Sequence, residues 1–161
     1  MKTSEKGIAL IHGFEGLADK RPDGMIYPYI DQVGVATIGY GSTYYLDGRR
    51  VKIDDPPITQ EDANNLFLNV LSGFENAVTK VVTTNINKNQ FDALVSFTYN
   101  LGVGALMQST LLKKVNVNSF DPTIRDEFAK WVNGMIDGKL TPLPGLVSRR
   151  KVEADKYFEA V

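Results

Sequence analysis

The chain has no cysteine and only one histidine, His12, in 161 residues. Without cysteine there is no disulfide framework, thiol nucleophile or thiolate metal site. Nothing ties such a chain to an oxidising or a reducing compartment. With one histidine, a metal site would need carboxylates, and no ligand-spaced cluster is present. Serine–histidine hydrolysis would have His12 as its only base, and no Gly-x-Ser-x-Gly elbow accompanies it. Neither charge dominates: 18 Lys and Arg against 19 Asp and Glu leave a net charge of −1. The basic footprint of a nucleic-acid binder is therefore missing. No apolar run approaches the roughly 20 residues of a membrane span. The polar start, Met1 to Gly7, leads into an apolar segment of four residues, Ile8 to Ile11. That is short of the roughly 7–15 residues that a secretory leader needs. Gly39-Tyr40-Gly41 lacks the lysine and spacing of a phosphate loop. These absences lead to the expectation of no cofactor, no metal, no nucleic-acid partner and no stable membrane insertion. The chain is expected to be a monomer held in a cytoplasm until something releases it.

What is present reads as an α+β protein. Thr3 or Ser4 caps a first helix whose stripe is Ile8, Ile11, Phe14 and Leu17, and Gly16 places its end near Glu15. Residues 18–24 form a polar loop. Residues 25–53 read as a small antiparallel sheet: an edge strand over Met25 to Ile30, a second over Val33 to Tyr40, and a third over Arg49 to Ile53 after the Asp47-Gly48 turn. Pro56-Pro57 stops the sheet. Thr59 caps a long amphipathic helix over about 60 to 82, on the order of 33 Å in length. Asn87 with Gln90 opens another helix, which ends at Gly102. A single helix over about 105 to 115 follows. Then comes one opened by Asp121-Pro122, carrying Phe128, Trp131 and Val132. Residues 135–145 read as a Gly/Pro-rich loop before a final helix. The expected organisation is one domain, 1–161, with a β lobe at about 18–58, a helical lobe made of the first helix and about 84–161, and about 60–82 connecting them.

Two carboxylates stand out. Glu15 lies in the last turn of the first helix, and Asp31 borders the run Tyr29-Ile30-Asp31-Gln32-Val33-Gly34-Val35-Ala36-Thr37-Ile38-Gly39-Tyr40-Gly41. An acid on a helix end facing another on a small sheet suits glycoside hydrolysis: one protonates the leaving oxygen, the other activates water or attacks carbon. Thr37 adds a hydroxyl able to hold a water. Each also has a plainer reading. Glu15 reads as a solvated helix-end glutamate, Asp31 as a turn former through its own side chain, and Thr37 as an ordinary strand residue. Arg149-Arg150-Lys151 is the densest basic cluster. With Glu153, Asp155 and Glu159 nearby it reads as a solvated helix face.

Taken together, these residues resemble the phage-type lysozymes, the endolysins of glycoside hydrolase family 24. The resemblance rests on Phe14-Glu15-Gly16 and on Asp31 and Thr37 with Ile38-Gly39-Tyr40-Gly41. It continues in Gln90 to Phe97, Tyr99-Asn100-Leu101-Gly102, Ser109-Thr110-Leu111-Leu112, Trp131-Val132-Asn133 and Gly145 to Arg150, covering nearly the whole chain. The Glu15–Asp31 separation is longer than the family's usual one, with the excess in the 18–24 loop. Ser42 stands where many members carry histidine. The resemblance implies a lysozyme-like fold and a muramidase that cleaves the β-1,4 bond between N-acetylmuramic acid and N-acetylglucosamine in bacterial peptidoglycan. It implies Glu15 as general acid, Asp31 as the second carboxylate and Thr37 as the residue that places water, with inversion at the sugar. It implies a cleft between hairpin and helical lobe, with Thr43, Tyr99, Thr110 and Asn133 touching sugar or peptide.

Two other classes stay open on the sequence. One is a non-catalytic peptidoglycan-binding or phage structural module on the same fold, since folds host many functions. The other is a glycosidase acting on chitin or chitosan. Release of reducing ends separates the first from an enzyme, and comparison of wall and chitin substrates separates the second.

Overall fold

Ser4 starts the first helix by accepting the Gly7 N–H at 3.1 Å, and helix α1 runs Glu5–Glu15. It appears in a computed structural model that describes residues 1–161. Gly16, at φ +67°, ends the helix, its N–H returning to the His12 carbonyl at 2.9 Å. A left-handed residue at this position is what a helix C-terminus favours, and glycine adopts it without a Cβ penalty. The elements that follow are strands β1 (Tyr29–Ile30) and β2 (Ala36–Thr37), then α2 (Gln60–Val81), α3 (Lys88–Leu101), α4 (Val103–Gln108), α5 (Thr110–Val117) and α6 (Ile124–Ala129). Strands β3 (Asn133–Ile136) and β4 (Lys139–Pro142) and helix α7 (Pro144–Tyr157) complete the chain. Seven helices with two small antiparallel sheets make this an α+β fold.

The chain falls into two compact units, one of Met1–Leu10 with Phe74–Val161, the other of Ile11–Gly73. In the first, α3 is buried along Gln90 to Thr98 and packs against α7 and α4, while α6 lies on α7. Its core includes Phe91, Leu94, Phe97, Leu106, Leu111, Val115, Ile124, Phe128 and Tyr157. Asn87 and Gln90 close a reciprocal capping box at the start of α3, satisfying two N–H groups that the helix leaves orphaned. The start of the chain is tied here too, with Thr3 donating to Glu75 and Ser4 to Asp92.

In the second unit, Ile11, Ile26, Ile38, Ala63, Leu66, Phe67 and Leu71 are buried. The hairpin pairs Tyr29 with Thr37 and Ile30 with Ala36. The third expected strand is reduced to the bridge between Tyr44 and Arg50, closed by the Asp47-Gly48 turn. The long 18–24 loop is not slack. Lys20 bridges Ile26, which in turn pairs with Ile58, and Asp23 accepts both the Met25 N–H and the Tyr27 hydroxyl. The extra residues between Glu15 and Asp31 thus form a miniature hairpin anchored by buried Ile26.

Three local expectations are corrected. The single helix over 105–115 is two, because Ser109 donates to the Leu106 carbonyl at 2.6 Å and accepts the Leu112 N–H at 3.0 Å, which ends α4 and caps α5. Helix α6 stops at Ala129, so Trp131 and Val132 lie beyond it, with the Val132 carbonyl accepting Leu143 N–H at 2.8 Å. Residues 135–145 are not a loop. Asp137 and Gly138, at φ +50° and +77°, form the left-handed pair of a tight hairpin turn between β3 and β4.

Candidate active site

Asp31 sits at the mouth of the β1–β2 hairpin. Its N–H donates to Val35 O at 2.9 Å. Its Oδ1 accepts the N–H groups of Val33 and Val35 at 2.9 and 2.8 Å. This is the turn-forming role that the residue type favours, and it leaves Oδ2 outside the turn. One oxygen fixes the carboxylate while the other is presented.

Thr37 is buried, and its Oγ1 donates to the Val35 carbonyl at 2.9 Å. A carbonyl can only accept, so the hydroxyl proton is committed there. Thr37 therefore meets a ligand only as an acceptor, not as both donor and acceptor. The Val35 peptide joins the two residues, with its N–H on Asp31 and its oxygen on Thr37.

Glu15 closes α1. Its Oε2 lies 4.0 Å from where a Cβ on Gly41 would stand, with Gly41 at φ +95°. That distance is an ordinary contact, so glycine is favoured at Gly41 by its backbone angle, which strains any residue with a side chain. One turn earlier, His12 stacks on Tyr40 with ring centroids 4.2 Å apart and planes 9° apart, and Phe67 lies against it at 4.2 Å. The Tyr40 hydroxyl accepts from Gln60 at 3.1 Å. This stack holds the end of α1 to the Gly39–Gly41 turn and so sets where Glu15 points. His12 Nε2 is buried with no hydrogen-bond partner, and burial lowers its pKa below the ordinary 6.5. In the fold its ring packs against Tyr40 and Phe67.

Tyr29 is the group that the sequence reading missed. It pairs directly with Thr37 and precedes Asp31 by two residues, so alternation along the strands puts all three side chains on one hairpin face. Burial, then Asp31, then Glu15 raise its phenol above the usual 10.0. Both carboxylates thus act on a single hydroxyl. The sequence shows a tyrosine two residues before Asp31, but only the pairing with Thr37 sets it on this face.

Of the other expected contacts, Thr43 is half-buried in the same unit, and its carbonyl accepts Val51 N–H at 2.9 Å. Tyr99, Thr110 and Asn133 belong to the other unit. Tyr99 is half-buried with its ring 5.3 Å from that of Phe74. Thr110 and Asn133 are exposed at the starts of α5 and β3. Ser42, in the position noted for histidine, is buried and pairs its backbone with Ile38.

The basic cluster is corrected. Arg149 and Arg150 are buried, and only Lys151 is a surface residue, pairing with Asp155. Arg149 Nε meets Glu153 at 3.2 Å. Arg150 bonds Glu153, Asn100 and the Trp131 carbonyl. Ser96 donates to Glu153 at 2.5 Å. Charge counting could not reveal this, because the partners Ser96 and Asn100 are some fifty residues away in sequence. No group of three or more His, Asp or Glu is placed to hold a metal ion, and no helix is long and apolar enough to cross a membrane.

A profile of the phage lysozyme family matches residues 14–153. The endolysin of Acyrthosiphon pisum secondary endosymbiont phage 1 is 37% identical over 160 residues, covering 99% of this chain and 100% of that protein. The endolysin of Bacillus phage B103 is 38% identical over 98% of this chain, which spans 54% of that relative's length. Among solved structures, the endolysin from Escherichia coli O157:H7 phage FAHEc1 superposes with a TM-score of 0.86 at 36% identity, covering 100% of this chain and 96% of that one.

Proposed function

The chain belongs to the phage lysozyme family, and from that membership we propose how its residues act. It is a peptidoglycan-degrading muramidase of phage-type host lysis, a glycoside hydrolase acting on the bacterial cell wall. We assign the chemistry to Glu15, Asp31 and Thr37. The observation that carries this assignment is the hairpin face, where Asp31 keeps Oδ2 clear of its turn and Thr37 is left as an acceptor.

A water between these two residues donates one proton to Asp31 and the other to Thr37 Oγ1. Its lone pair is then directed at the anomeric carbon. Glu15 gives its proton to the glycosidic oxygen as the carbon–oxygen bond breaks. The water oxygen bonds to that carbon while its proton passes to Asp31. The configuration inverts, a course that suits carboxyl groups separated by roughly 6.5–9.5 Å. Thr43, Tyr99, Thr110 and Asn133 are assigned to sugar or peptide contacts. In this reading residues 1–161 work as one domain and as a monomer, without nucleic acid, held in the host cytoplasm until released to the wall.

Digestion of purified peptidoglycan followed by mass spectrometry of the fragments tests the proposal. The native protein is expected to create new N-acetylmuramic acid reducing ends. Glu15→Gln is expected to lose about 10²- to 10⁴-fold in rate, the range of a general acid, with an unchanged circular dichroism spectrum. Near-normal wall clearing by Glu15→Gln, or fragments cut only at amide bonds, would refute it.

A further inference from the structure

The hairpin carries a polar side chain for which the roles above have no use. Tyr29 is half-buried, pairs across the ladder with Thr37 and shares its face with Asp31. Directly opposed side chains in such a pair stand about 4.5–5.5 Å apart at their Cβ atoms. Asp31 and Glu15 are the charges that act on its hydroxyl, and no hydrogen bond of the protein engages it. That hairpin face is the one from which Asp31 and Thr37 are assigned to act on the sugar, so the Tyr29 hydroxyl stands on the side where the water approaches.

The chemistry of that face is lopsided. An ionised Asp31 accepts, and Thr37, whose proton is on the Val35 carbonyl, also accepts. Sugar hydroxyls can donate to those two acceptors, but the ring and acetamide carbonyl oxygens carry no proton and need a donor. The phenol is held neutral by burial and by the two neighbouring acids, so its O–H remains a donor at any physiological pH.

We propose that the Tyr29 hydroxyl donates a hydrogen bond to an oxygen of the sugar bound between Glu15 and Asp31, making Tyr29 a further catalytic residue of this site. The proposal rests on the assignment of those two carboxylates as the reacting pair.

Tyr29→Phe removes the donor and keeps the ring. Its kcat/KM on purified peptidoglycan is expected to fall about 3- to 10-fold, the value of one neutral hydrogen bond, by the same factor at each pH. Its Tm should stay within about 2 °C of the native one, since no protein contact is lost. A second measurement leaves Tyr29 intact. In the Glu15→Gln protein carrying ring-labelled tyrosine, the Tyr29 signal should move as a soluble N-acetylmuramic acid–N-acetylglucosamine oligomer is titrated in. Unchanged kcat/KM in Tyr29→Phe, a rate loss that tracks a lowered Tm and returns on cooling, or a Tyr29 signal indifferent to the oligomer would each overturn it. An active Glu15→Gln enzyme sinks the carboxylate assignment itself. An inactive one beside a fully active Tyr29→Phe sinks this inference alone.

Discussion

Thr37 shows how a single hydrogen bond decides a residue's chemistry. Its proton lies on Val35 O at 2.9 Å, so a water at the site must donate to it, which turns the water's lone pair away from both protein groups. Thr37→Val removes the acceptor while keeping the shape, and the rate on peptidoglycan is expected to fall by about 10-fold or more. Thr37→Ser keeps the hydroxyl and should retain most of the activity. Equal rates for the two variants would separate Thr37 from the water. Asp31 and Glu15 were legible as candidates from residue type and position. Tyr29 was not, because tyrosine in a strand is ordinary and only the register with Thr37 gives it a place.

At the scale of elements, α7 is held to α3 by charge buried in a polar cluster. Glu153 accepts from Ser96, Arg149 and Arg150 and is fully buried. Burial pushes its carboxyl up, against the pull of Arg150, Ser96 and Arg149. Removing one partner of such a cluster leaves a guanidinium buried without its carboxylate, so Glu153→Ala is expected to cost about 3–5 kcal/mol. Urea denaturation reads this directly. A loss under about 1 kcal/mol would mean that water replaces the carboxylate there. The starts of α1, α2 and α3 were readable because Ser4, Thr59 and Asn87 cap through their own side chains. The split at Ser109 and the β3–β4 hairpin differ from the sequence expectation for local reasons. Ser109 lies between two stretches that both carry helical periodicity, and nothing local marks it as a cap rather than an interior residue, while Asp137-Gly138 is a hairpin signal only if strands flank it.

For the molecule as a whole, the titrating groups mostly act in one direction. His12 has a lowered folded-state pKa because burial penalises its charge. The unfolded chain therefore binds that proton more readily, and stability falls as pH drops from about 6.5 through the lowered value. Asp23, Asp55, Asp121, Glu127, Asp155 and Glu159 are lowered mainly by hydrogen bonds. Their contribution is present above the ordinary carboxylate range and is lost as pH falls through the folded values, each by little where the pair is exposed. Glu153, raised by burial, opposes this trend. Tm is expected to decline in two stages on acidification. His12→Phe, which keeps a ring against Tyr40 and Phe67, should remove the first. A Tm flat from pH 7 to 5 in the native protein would contradict the burial of His12.

The sequence by itself determined the fold class, the long amphipathic helix over about 60–82, the capped helix starts and the Glu15–Asp31–Thr37 candidates. Periodicity, capping chemistry and turn residues are local, and they persist wherever the segment is placed. Only the tertiary structure decided that Arg149 and Arg150 lie inside and that His12 serves as a stacking plate behind Glu15. It also decided that Thr37 has no proton to give and that Tyr29 feels both acids. Each of these depends on a partner distant in the chain or on which face a strand presents, and burial and pairing exist only once the chain has closed on itself.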